Sequence, residues 1–204
     1  MGVYAAIARQ FGRPEGRLGR LAGWIMAARG SNRARNAWTL ELLGIRPTDR
    51  LLELGFGPGY AISLLAPRLT TGRVVGIDHS AVMLAQARRR NARWIAAGRV
   101  QLLQGGPDAL ASLPPGFDRV YSSNVVQFVP DRDALLQRLR ALLVPGGLVA
   151  TTYQPRHRGA TDDDALRFAG QFLEQMQAAG FVDCRVERRP GLGLLTVCIL
   201  GRNP

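Results

Sequence analysis

Three glycines at alternate positions, Gly55, Gly57 and Gly59, follow the apolar run Leu51, Leu52, Leu54 and the single carboxylate inside it, Glu53. Glycine lacks the Cβ that holds a ligand away from the backbone and accepts positive φ, so this spacing predicts a tight turn whose N–H groups face a ligand at the start of a helix. A second apolar run, Val74 to Ile77, ends on Asp78. A carboxylate at the end of the neighbouring strand is placed to accept hydrogen bonds from both hydroxyls of a ribose. Glycines alone mark a turn; coupled to Asp78 they point to a ligand that contains a nucleoside.

Three details narrow the nucleoside. Tyr60 stands where the dinucleotide fingerprint needs its third glycine. Glu53 would crowd a pyrophosphate, yet it suits the ammonium of an amino-acid moiety, directly or through water. The 27 basic residues are all arginine. A chain without lysine makes no Schiff base, supplies no phosphate-loop lysine, and lacks the Tyr/Lys couple of many short-chain dehydrogenases. S-adenosylmethionine offers a ribose for Asp78, an ammonium for Glu53 and no phosphate.

The elements that position these residues follow from periodicity. Short apolar runs at 50–54, 73–78, 99–103, 117–123 and 147–153 read as strands, and the stretches 81–98 and 131–147 between them read as helices, the second ended by Pro145 and the pair Gly146 and Gly147. Such alternation implies a parallel sheet covered by helices on both faces. A helix over 163–179 then precedes two strands, 181–189 and 194–201, joined by a link short enough to require an antiparallel pair. Residues 1–45 read as an added helical segment, with seven arginines against Glu15 and Glu41, and 46–204 as the ligand-binding domain.

Composition sets the outer bounds. A chain of 204 residues with 47% hydrophobic content fills the core of one domain. No apolar stretch approaches the roughly 20 residues of a membrane span, and no secretory leader is evident, so a cytoplasmic location is the default. Cys184 and Cys198 are expected as buried free thiols, and no metal site is expected. The net charge of +12 keeps polyanions and anionic small molecules among the partners.

The motifs resemble those of class I S-adenosylmethionine-dependent methyltransferases, and among them the group of small "type 11" enzymes. "LLELGFGPG" resembles the first motif, "VVGIDHSAVMLAQAR" the second, "FDRVYSSNVVQFVPD" the fourth and "LRALLVPGGLVA" the approach to strand five. The resemblance spans about residues 48–204. It implies a Rossmann-like, doubly wound α/β sheet of seven strands in the order 3-2-1-4-5-7-6, with strand 7 antiparallel.

The resemblance also implies site residues. Glu53, Gly55, Gly57 and Gly59 would line the methionine and ribose part of the cofactor, Asp78 would hold the ribose hydroxyls, and His79 and Met83 would flank the adenine. Ser123 falls beside the methionine part and the mouth of the site, and Gln127 where many relatives carry histidine. The third motif departs from the pattern: Gly105, Gly106, Pro107 and Asp108 replace the usual Gly-Asp, leaving the adenine amino group to Asp108 from a shifted position or to backbone atoms.

The acceptor is less constrained. Neither cysteine is placed for cytosine-C5 chemistry, and "SSNVVQF" replaces the motif of exocyclic-amine nucleic-acid enzymes. A small organic molecule accepting on O or N leads. RNA, a lipid headgroup, and a non-catalytic nucleotide-binding regulator on the same fold are the alternatives. Where a base is needed, His157, His79, Tyr153 and Tyr121 are the available groups. Trp24 and Trp38 suit an N-terminal lid over an apolar substrate; a membrane-surface or nucleic-acid contact competes for the same basic segment. The oligomeric state has no signature.

Overall fold

The computed structural model describes residues 30–190 and 193–204, without the side chain of residue 31. Helix α1 (Gly30–Leu42) precedes an alternating series. This runs β1 (Arg50–Leu54), α2 (Tyr60–Leu65), β2 (Arg73–Asp78), α3 (Ala81–Arg90), α4 (Ala92–Ala96), β3 (Val100–Gln104) and β4 (Phe117–Ser123). It closes with α5 (Arg132–Leu142), β5 (Leu143–Tyr153), α6 (Asp162–Ala178), β6 (Val182–Arg189) and β7 (Thr196–Arg202).

The seven strands form one sheet in the order β3-β2-β1-β4-β5-β7-β6, as the family resemblance implies. β1 pairs in parallel with both β2 and β4, whereas β7 runs antiparallel to β5 and β6. Strands covered on both faces need no polar side. Successive leucines of β1 therefore serve opposite layers: Leu52 joins a cluster with Val120, Leu139 and Phe172, and Leu51 joins one with Leu40, Ile62 and Leu65.

Three element boundaries differ from the sequence reading. The helix expected over 81–98 is broken at Asn91, which is fully buried and whose Nδ2 donates to the carbonyls of Ala87 and Gly59, both at 3.0 Å. A side chain that bonds its own helix backbone and the glycine turn together competes with helix propagation. The helix expected to be ended by Pro145, Gly146 and Gly147 stops earlier, at Leu142, and β5 begins at once, carrying those three residues within it. A register shift between Phe117 and Arg119 absorbs that irregular stretch. Both thiols are free, Cys198 buried and Cys184 half-buried.

Crossovers leave β1 in one direction along the sheet toward β2 and return on its other side through β4. The strand order thus reverses between β1 and β4, which is where an open α/β sheet forms a crevice beyond its carboxyl ends. Among the described residues no helix is long and apolar enough to cross a membrane.

Candidate functional site

A cleft of about 870 Å³ lies at that reversal, within the range of ligand pockets. Its floor is the turn after β1. Gly55, Gly57 and Gly59 all hold positive φ, but they meet different surroundings. A Cβ on Gly55 would run into the side chain of Val125, and one on Gly59 would lie 2.6 Å from Asn91 Nδ2 and 2.8 Å from Ala87 Cβ. A Cβ on Gly57 would meet nothing within 4 Å. Gly57 alone of the three faces open space, and that space is the cleft.

Asp78 ties this turn down. Its Oδ2 accepts from the Gly57 N–H at 2.8 Å and its Oδ1 from the Ser80 N–H at 2.9 Å. Burial raises its pKa, and the two backbone donors pull it back down. Each oxygen keeps a further acceptor site. His79 is exposed beside it, with Nδ1 3.8 Å from Asp78 Oδ1, and Met83 is buried in the adjoining wall.

Glu53 lies deeper, 3% exposed, with Oε2 accepting from the Tyr121 hydroxyl at 2.9 Å. Burial lifts its pKa from the ordinary 4.5 to about 8, against the opposing effect of that hydrogen bond. Tyr121 is consequently no base: it is fully buried in the core, its hydroxyl is engaged as a donor, and burial next to Glu53 holds its pKa well above the usual value.

Two further expectations are corrected. Asp108 is exposed on the short 3-10 turn Pro107–Ser112 and does not line the cleft; Gly105, Gly106 and Pro107 do. Trp38 does not line it either. The cleft-facing positions of α1 are Asn32, Arg35 and Asn36, whereas Trp38 lies on another side of the helix, under the guanidinium of Arg189. Trp24 and the other N-terminal residues invoked for a lid lie outside the described residues.

The opposite wall is built at the ends of β4 and β5. Ser123, Gln127, Tyr153 and His157 all line it, as does the exposed Phe128. The Tyr153 ring packs against Phe168 with centroids 4.2 Å apart, and His157 Nε2 is 3.5 Å from Asp164 Oδ2. Sequence reasoning missed the residue at the centre of this wall, Arg35. Its Nε donates to Ser123 Oγ at 2.8 Å, Nη1 to Gln154 Oε1 at 3.2 Å and Nη2 to Asn32 Oδ1 at 2.9 Å. The signal was present as an inverted stripe: Asn32, Arg35, Asn36 and Thr39 recur at helical spacing on one face, and that face turns inward. Thr39 confirms the direction, since its Oγ1 lies 2.7 Å from that of Thr152 in β5.

Comparison with known proteins decides the family. The chain is 34% identical over 184 residues to the uncharacterized methyltransferase YdaC of Bacillus subtilis, a match covering 90% of this chain and 98% of that protein. The family model "Methyltransferase domain" matches residues 52–149. The chain is a class I S-adenosylmethionine-dependent methyltransferase.

This methyltransferase is also 39% identical over 114 residues to trans-aconitate 2-methyltransferase of Variovorax paradoxus, covering 53% of the chain but only 42% of that relative. Its fold matches that of the N-methyltransferase NodS from Bradyrhizobium japonicum, solved with S-adenosyl-L-homocysteine, at a TM-score of 0.72 and 19% identity over 98% of each chain.

Proposed function

We propose that the methyltransferase acts on a small organic molecule, accepting on O or N, held at the β4/β5 end of the cleft beside a cofactor held at the β1/β2 end. One observation carries this reading: a single cleft of about 870 Å³ runs from Glu53, Gly57 and Asp78 at one end to Tyr153, Arg35 and His157 at the other.

The residues present fit the cofactor. Asp78 retains acceptor capacity for two ribose hydroxyls, Gly57 leaves its face of the turn open, and the buried Glu53 lacks a cationic partner among the described residues. When bound, S-adenosylmethionine supplies an electrophilic methyl group on a sulfonium. The chain's own work is then to hold the acceptor in line and keep water out, and orientation of this kind is worth an effective molarity of about 10⁵ M or more. His157, His79 and Tyr153 border the cleft and are the groups available there to an acceptor that must lose a proton, Tyr153 the least so because burial raises its pKa and disfavours the phenolate.

Helix α1 supports the N-terminal segment as a wall over the acceptor end, because Asn32, Arg35 and Asn36 all face inward from it. Titrating S-adenosyl-L-homocysteine and NAD against wild type and Asp78→Ala tests the cofactor half. We expect binding of the first, none of the second, and a large loss in the variant. Absence of S-adenosyl-L-homocysteine binding by wild type would sink the reading. Methyl transfer to RNA or vesicles, with none to a panel of small acceptors, would overturn the small-molecule assignment.

A further inference from the structure

Arg35 is the one arginine among the described residues that is buried, 7% exposed. A buried guanidinium is costly unless a counter-charge offsets it. Arg119, the arginine of the neighbouring sheet region with a largely buried side chain, has one: its Nε lies 3.7 Å from Asp49 Oδ2. No described carboxylate pairs with Arg35. Its three hydrogen bonds end on the neutral oxygens of Ser123, Gln154 and Asn32, which leaves one N–H on each Nη nitrogen.

A second guanidinium converges on the same point. Arg156, in the loop after β5, lines the cleft and donates through Nη2 to Gln154 Oε1 at 2.9 Å, the atom that also accepts from Arg35. Burial first, and then repulsion from Arg156, lower the Arg35 pKa to about 9. Two cations held around one neutral oxygen, with spare donors on the buried one, form a site arranged for an anion entering from the cleft. The two remaining N–H groups can engage both oxygens of a carboxylate; a phosphate would take the same pair and leave further charged oxygens to be satisfied.

We propose that Arg35 and Arg156, held by Gln154, form a carboxylate-binding site at the acceptor end of the cleft, so that the acceptor is an organic acid. This rests on the methyltransferase reading above. The methionine portion of the cofactor carries the same chemical group, and Ser123, to which Arg35 donates, is the residue expected beside that portion, so the test must separate the two sources.

Citrate, its uncharged triethyl ester and inorganic phosphate are titrated by calorimetry into protein saturated with S-adenosyl-L-homocysteine. Wild type, Arg35→Gln and Arg156→Gln are compared, with melting temperatures to confirm folding. Arg156 is exposed, so its variant keeps the test valid should Arg35→Gln unfold. The expected result is citrate binding weakened at least tenfold in each variant, with no binding of the ester. In parallel, S-adenosyl-L-homocysteine is compared with 5′-methylthioadenosine, which lacks the carboxylate. A tenfold loss for the first alone in Arg35→Gln assigns the site's carboxylate to the cofactor and overturns the organic-acid acceptor. Citrate binding that both variants retain, or phosphate binding in preference to citrate, overturns the site while leaving the methyltransferase reading intact. Wild type that fails to bind S-adenosyl-L-homocysteine at all removes both.

Discussion

The two ends of the cleft are made of different materials. At the β1/β2 end the ligand-facing surface is backbone and carboxylate: the open face of Gly57, Asp78 holding the turn, and Glu53 beneath. At the β4/β5 end it is side chain and cation, with Arg35 and Arg156 meeting over Gln154. The acidic end is fixed by backbone geometry, three glycines at positive φ and a carboxylate bonded to two backbone N–H groups. The basic end is assembled from three separate segments, α1, β4 and the loop after β5, each of which can vary by itself. A family that keeps one cofactor and changes its acceptors has use for that division.

The largest effect expected is at the acidic end. Asp78→Ala removes two charge-assisted hydrogen bonds to a ribose, each worth roughly 1.5–3 kcal/mol, so S-adenosyl-L-homocysteine affinity should fall about 100-fold or more by calorimetry. Retention within tenfold would show that the turn binds through other groups.

The glycines should separate binding from stability. Gly59→Ala forces a Cβ against Asn91 and Ala87, and overpacking together with left-handed strain should cost roughly 2–5 kcal/mol in urea unfolding. Gly57→Ala meets no protein atom, so its stability loss should stay near the roughly 1–2 kcal/mol of backbone strain while cofactor affinity drops about tenfold. Equal behaviour of the two variants would erase the distinction between a packed and a ligand-facing glycine.

Glu53 gives a pH signature. Its folded pKa of about 8 lies above the ordinary 4.5, so its contribution to stability is complete below about pH 4.5 and is lost as pH rises through 8. Glu53→Gln keeps an oxygen to accept from Tyr121 and removes the titration. Wild type should therefore lose ground to the variant between pH 5 and 8 in thermal melts. An ammonium-bearing ligand needs the ionised form, so its binding at pH 7 should release protons in wild type and none in Glu53→Gln, read as buffer-dependent calorimetric heats.

The smallest effects belong to the basic end's proton acceptors. If orientation supplies most of the rate, Tyr153→Phe and His157→Gln should each lower kcat less than tenfold on the eventual substrate. A loss of 100-fold in either would make that group a general base.

Legibility in the sequence followed the same division. The strands, the glycine turn and Asp78 were readable because backbone demands restrict residue type: positive φ selects glycine and doubly covered strands select continuous apolar runs; the order of the strands came from the family resemblance. The basic wall was hidden because arginine is the chain's only basic residue type apart from two histidines, so Arg35 looks like any other of the 27 until helix α1 turns its polar stripe inward. Tyr121 failed for the opposite reason, since its period along β4 places it in the core layer beneath Glu53, where its hydroxyl serves the carboxylate and never reaches a substrate. Asp108 failed because Pro107 opens a 3-10 turn that carries the acid outward.

One contact at the far end of the chain bears on all of this. Gln154 Nε2 donates to the carbonyl of Leu194 at 2.9 Å, which fixes which way the amide points and turns its oxygen toward both guanidiniums. Leu194, just before β7, thus sets the polarity of a wall it does not itself form. A change at Leu194 that rotates that amide would alter which anions the basic wall accepts while lying far along the chain from Gly57 and Asp78.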